Sequence, residues 1–100
     1  MAIMANIVVR HFGQLREIVG TGSEKVIIDD SASLIQLIEF LSSKHGRRFE
    51  NFVYDKNHTL RKSLAFAADG DSVQESKLRS MKCGNIEEFV ILPPSSGGCD

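Results

Sequence analysis

Ser33-Leu34-Ile35-Gln36-Leu37-Ile38-Glu39-Phe40-Leu41 is the stretch that decides the class of fold. Leu34, Leu37, Ile38 and Leu41 fall at i, i+3, i+4 and i+7, the apolar stripe of a helix laid against a core. Ser33 followed three residues later by Gln36 fits a capping box, in which hydroxyl and amide each satisfy a backbone N–H at the helix start. Ser42-Ser43-Lys44-His45-Gly46 supplies basic residues and a glycine at the other end. His45 reads here as a solvated helix terminus.

Outward from this helix the pattern turns to strands. Asn6–Phe12 and Glu24–Ile28 precede it, rich in β-branched side chains, with short helix-compatible Gln14–Val19 between them. In the first strand Ile7, Val9 and His11 share one face and Val8, Arg10 and Phe12 the other, so either could meet the core. After the helix, Arg47–Lys62 is irregular, with Phe49, Phe52, Val53 and Leu60 as anchors for a long connection. Ser63–Ala68 reads as a strand ending in a tight turn at Asp69-Gly70-Asp71, because Asp-Gly readily supplies positive φ. Val73–Gly84 is polar and helix-tolerant, with Leu78 and Met81 turned inward. Ile86–Leu92 is the strongest strand signal, and Pro93-Pro94 stops it. The order implies an α+β fold, a small mixed sheet covered on one face by one main helix.

Length and composition narrow the function classes. One hundred residues, 42% hydrophobic and 25% charged, make one small globular domain. A net charge of -1 gives no electrostatic reason to expect nucleic acid or an anionic membrane as partner. No run approaches the roughly 20 apolar residues of a membrane span, and the short apolar start lacks the basic region of a secretory signal. Cys83 and Cys99 are too few for a disulfide scaffold and fit a reducing, cytoplasmic location. Cys99 has no local base or positive charge to activate its thiol, and Cys83, beside Gly84, reads as semi-buried or inert rather than catalytic. The spacings of His11, His45 and His58 fit no common zinc pattern, so no metal site is expected. The basic residues Arg10, Arg16, Lys44, Arg47, Arg48, Arg61 and Lys62 fit either a solvated surface or rim contacts to an acidic partner.

Pro93-Pro94-Ser95-Ser96-Gly97-Gly98-Cys99-Asp100 differs from the rest of the chain. Two prolines favour an extended exit from the sheet, and small residues follow with no apolar side chain to fasten them. The domains expected are a flexible start over 1–5, a folded body over 6–94 and a flexible tail over 95–100. Glycine has no Cβ, so a partner can approach the backbone closely at Gly97 and Gly98. Pro93, Pro94, Ser95, Ser96 and Gly97 would thread such a tail into a partner's channel.

Three groups of residues carry a family resemblance. Val9-Arg10-His11-Phe12-Gly13-Gln14-Leu15-Arg16-Glu17 with Gly20 resembles the opening of the ubiquitin-like sulfur carriers, the small subunit of molybdopterin synthase and its thiamine-pathway relatives. Ser33-Leu34, Leu37-Ile38 and Leu41 look like the family's main helix, and Leu92–Gly98 is very similar to the molybdopterin-synthase tail. The resemblance implies a β-grasp fold, with first and last strands parallel and central. It implies that Gly98 provides the carboxylate that an E1-like enzyme adenylates with ATP, after which sulfur replaces AMP to give a thiocarboxylate. The catalytic pocket would lie on the synthase large subunit, with no cofactor bound by this chain.

Two departures from the family pattern stand out. The family ends at its second glycine, whereas here Cys99 follows Gly98, and an amide carbonyl cannot be adenylated. Processing between Gly98 and Cys99 by a JAMM-type protease is therefore expected. The stretch Leu78–Glu88 is also longer than the family's compact turn. Two other classes stay open: a protein modifier joined to lysines through Gly98, and an interaction domain whose function survives loss of Gly97-Gly98.

Overall fold

The computed structural model describes residues 3–93. Five strands form one sheet: β1 (Met4–His11), β2 (Ser23–Asp29), β3 (Ala65–Ala68), β4 (Asp71–Val73) and β5 (Glu88–Leu92). Their order is β2-β1-β5-β3-β4. β1 and β5 run parallel in the middle, from Val8 beside Glu88 to His11 beside Ile91. The antiparallel partners β2 and β3 flank them. This is the β-grasp arrangement, with strands from opposite ends of the described chain side by side.

Three helices accompany the sheet: α1 (Gly13–Val19), α2 (Leu34–His45) and α3 (Arg47–Val53). In α2 the capping box is complete: the Gln36 amide N–H donates to Ser33 Oγ, and the Ser33 N–H to Gln36 Oε1. Leu34, Leu37, Ile38 and Leu41 are fully buried. They meet Ile7 and Val9 of β1, Val26 of β2, and Phe89 and Ile91 of β5 in one core, to which Leu15, Phe49 and Val53 of the shorter helices add. Burying each such side chain contributes on the order of 2 kcal/mol. The face of β1 left open by sequence is thereby settled: Ile7, Val9 and His11 point inward.

The structure corrects four readings. Met4 and Ala5, assigned to a flexible start, pair with Asp29 and Ile28. The supposedly irregular connection begins with α3, which brings Phe49 and Val53 into the core. Gly46 separates α2 from α3 with φ 89° and ψ -166°, and it offers no side-chain cap to announce a new helix. Asp71, read as part of the turn, and Val73, read as the start of a helix-tolerant stretch, belong to an edge strand, since Asp69 (φ 51°) and Gly70 (φ 86°) fold β4 back onto β3. Beyond it, Val73–Gly84 holds only short 3-10 turns at Glu75–Lys77 and Cys83–Asn85. Leu78 is nevertheless fully buried and Met81 packs on the core's edge.

Candidate functional site

Because β1 and β5 are parallel neighbours, Phe12 and Leu92 leave the sheet at the same end. Both are exposed apolar side chains. On the sheet face away from the helices, Val8, Val90, Ile27 and Leu92 alternate with the buried residues and leave an apolar strip open. Arg10 and Glu88, adjacent on that face, form an ion pair. At the exit itself Gly13 has φ +56°, and a Cβ there would sit 3.2 Å from Pro93 Cγ. A glycine is thus needed twice over, for the backbone angle and for room beside Pro93.

Pro93 is the first residue of the expected threading segment and the last described. Pro94, Ser95, Ser96, Gly97, Gly98 and Cys99 lie outside the described residues, so the expected carboxylate, tail and processing site do too. What the fold fixes is their point of departure, at the end of a central strand beside an apolar surface.

A second constellation lies at the α2 end of the core. Glu24 of β2 accepts two hydrogen bonds on Oε2, from His11 Nε2 at 2.6 Å and from His45 Nε2 at 2.7 Å. Lys44 Nζ donates to its other oxygen, Oε1, at 2.8 Å. The His11 ring is fully buried, edge-on to Phe49, and its Nδ1 has no hydrogen-bond partner among the described residues. Burial pushes the His11 pKa below the ordinary histidine value, and the Glu24 hydrogen bond opposes this only in part. Burial also pushes the Glu24 carboxyl upward, but donors from Lys44, His11 and His45 outweigh it, and the net shift is downward.

His45 is therefore not a solvated terminus: its side chain is 13% exposed and held by Glu24. Residues 11, 24 and 45 are too far apart in sequence for spacing to reveal the cluster. One signal was available, a histidine alternating with Ile7 and Val9 on a face that turned out to be buried, where a ring nitrogen needs a partner. His58 stands apart, stacked on Tyr54 with ring centroids 4.3 Å apart.

The remaining candidates are structural. Cys83 is fully buried, its Sγ 3.6 Å from the Ser33 carbonyl oxygen. Burial pushes its pKa up to about 11, away from the thiolate that nucleophilic chemistry requires. Asp69 ends the β3–β4 hairpin and accepts from the backbone N–H groups of Glu87 and Glu88, locking the turn to the start of β5. No helix among the described residues is long and apolar enough to cross a membrane.

The ThiS family model matches residues 9–98, from the middle of β1 through the second glycine of the tail. The chain belongs to the ThiS family. That places this ThiS-family chain among the ubiquitin-like sulfur carriers. Solved structures share its fold. SAMP1 from Haloferax volcanii superposes with a TM-score of 0.80 at 22% identity, over 93% of this chain and 99% of that one. The small archaeal modifier protein 1 from Methanosarcina acetivorans gives 0.75 at 24% identity, over 96% and 99%. A candidate molybdopterin converting factor subunit 1 from Pyrococcus furiosus gives 0.67 at 19% identity, over 91% and 99%. No curated protein matches this ThiS-family sequence significantly.

Proposed function

We propose that this chain is the small, sulfur-carrying subunit of a molybdopterin synthase, working in the cytoplasm. The observation that carries the reading is the family match running to Gly98, the residue whose carboxylate would be activated. In the sequence Cys99 follows Gly98, so the Gly98 carbonyl belongs to an amide until that bond is cut, and a JAMM-type protease is the proposed agent. An E1-like enzyme then transfers AMP from ATP to the freed carboxylate and pyrophosphate leaves. The acyl-adenylate has a good leaving group where the carboxylate had none. A hydrosulfide equivalent from a sulfur donor attacks the acyl carbon, AMP departs, and the resulting thiocarboxylate is a soft nucleophile.

Pro93, Pro94, Ser95, Ser96 and Gly97 would lead Gly98 into the pocket of the synthase large subunit, where the acceptor waits. The apolar strip of Val8, Val90 and Leu92 beside exposed Phe12 suits the docking of such a subunit, since an unpartnered apolar surface continuous with the tail's exit is where partner burial contributes most. Intact-mass measurement of protein isolated from its native cell tests the proposal. The mature form should end at Gly98, and a loaded fraction should show the mass gain of one oxygen replaced by sulfur. If the chain keeps Cys99 and still supports sulfur transfer, the mechanism is wrong.

A second reading has its own support, because two of the structures described above are named small archaeal modifier protein 1. Conjugation to lysines through Gly98 would share the adenylation step and diverge after it. Isopeptide-linked Gly98 on target lysines, with no thiocarboxylate form, would favour the modifier.

A further inference from the structure

The fold converges two imidazoles and a carboxylate on one point, from three separate elements. Among the described residues, His11 of β1, Glu24 of β2 and His45 at the end of α2 form a group whose ligand-type atoms all lie within 4.8 Å of one another. From this geometry we propose that His11, Glu24 and His45 bind a single divalent transition-metal ion of the zinc class. Two neutral imidazole nitrogens and one carboxylate oxygen are a donor set suited to such ions, leaving a fourth position for water.

Three observations support the assignment. First, both imidazoles address the same oxygen, Glu24 Oε2, at 2.6 and 2.7 Å. In a tetrahedral site with ligands about 2.0–2.1 Å from the metal, neighbouring donors stand about 3.3 Å apart. Each nitrogen–oxygen pair therefore opens by about 0.6–0.7 Å to admit an ion, while the two imidazole nitrogens already lie within 4.8 Å of one another. Second, the Glu24 hydrogen bond at Nε2 is the single contact that sets the His11 tautomer, because Nδ1 is buried without a partner among the described residues. Moving the proton from Nε2 to Nδ1 leaves that same atom unpartnered and exchanges the Glu24 hydrogen bond for a metal bond at the freed Nε2 lone pair. Third, the site is walled on one side and open on the other. The His11 ring is fully buried against Phe49, whereas the Glu24 and His45 side chains keep 9% and 13% exposure and Lys44, on the far oxygen, is 46% exposed. Lys44 can keep Oε1 while the metal takes Oε2.

A bound ion would join β1, β2 and the end of α2 at one point. Binding needs neither Gly98 nor its activation, so this proposal and the carrier reading fail separately. The test uses the uncut, tag-free chain carrying Cys99→Ser, stripped with a chelator and titrated with Zn²⁺, with Co²⁺ as spectroscopic probe. One Zn²⁺ per chain is expected, with a higher thermal midpoint and a Co²⁺ visible spectrum of low coordination number. His45→Ala and Glu24→Gln should each weaken binding by more than about tenfold, a loss that even an outer-shell partner can produce. His45 lies at a helix end and is partly accessible, so His45→Ala keeps the test usable if Glu24→Gln fails to fold. Absence of stoichiometric binding, or affinity unchanged in folded His45→Ala, overturns the proposal.

Discussion

Gly13→Ala perturbs the point where the tail leaves the body. Gly13 has φ +56°, and a left-handed angle costs a residue bearing a Cβ about 1 kcal/mol. The new Cβ would also lie 3.2 Å from Pro93 Cγ, closer than ordinary van der Waals contact, so Pro93 must give way. Pro93 is only half-buried, so this adds about 1 kcal/mol, the low end for overpacking. The sum, about 2 kcal/mol, lowers the thermal midpoint by roughly 8–16 °C in a domain of this size. A double-mutant cycle with Pro93→Ala separates the two contributions, because that change removes Cγ and leaves the Gly13 backbone angle in place. By denaturant unfolding, Gly13→Ala should cost about 2 kcal/mol with Pro93 present and about 1 kcal/mol without it. Equal losses in both backgrounds, within the ~0.4 kcal/mol limit of additivity, would refute the argument that Gly13 is kept small for Pro93.

Other outcomes follow from features elsewhere in the fold. Ser33→Ala removes the hydroxyl of the α2 capping box and should destabilise the protein by about 1 kcal/mol in chemical denaturation. Tyr54 is the single tyrosine, and burial, followed by the nearby Glu39 and Glu50 carboxylates, raises its pKa above 10.0. Absorbance titration of the native protein should show phenolate forming later than in urea. Between the unfolded and folded pKa values the unfolded chain binds fewer protons, so stability should fall as pH rises through that window. In the Cys99→Ser chain, Cys83 should resist thiol reagents at neutral pH and react once unfolded; fast native labelling would contradict its burial.

The parts of the fold legible in sequence were those with dense local patterning. The Leu34-Leu37-Ile38-Leu41 stripe and its Ser33/Gln36 cap correctly marked α2, and β-branched runs marked the two central strands. Asp69-Gly70 marked a turn by its chemistry, although the short strand it created, β4, has one buried apolar residue in Asp71-Ser72-Val73 and no pattern of its own. For α3 the anchors Phe49 and Val53 were visible but its beginning was not, because Gly46 carries no capping group. The Glu24 cluster, hinted at only by His11 on the Ile7–Val9 face, was hidden for a different reason. Its members come together only through β1–β2 pairing and the docking of α2, and no linear spacing encodes either. The tail's chemistry, by contrast, was read entirely from residue identities, since Gly98 lies beyond the described residues.

The placement of β5 also bears on how the molecule is made. A ribosome delivers residues 88–92 after every other strand, yet β1 needs them along one edge and the β3–β4 hairpin has no other strand to join. Until then a growing chain can pair β1 only with β2, leaving sheet edges unmet that other chains could occupy. Closing so long a loop is entropically slow. The strand that completes the described sheet is also the one that leads to Pro93 and, on the function proposed above, to the segment carrying Gly98, so an enzyme that recognises the completed sheet beside Pro93 would pass over chains still being assembled.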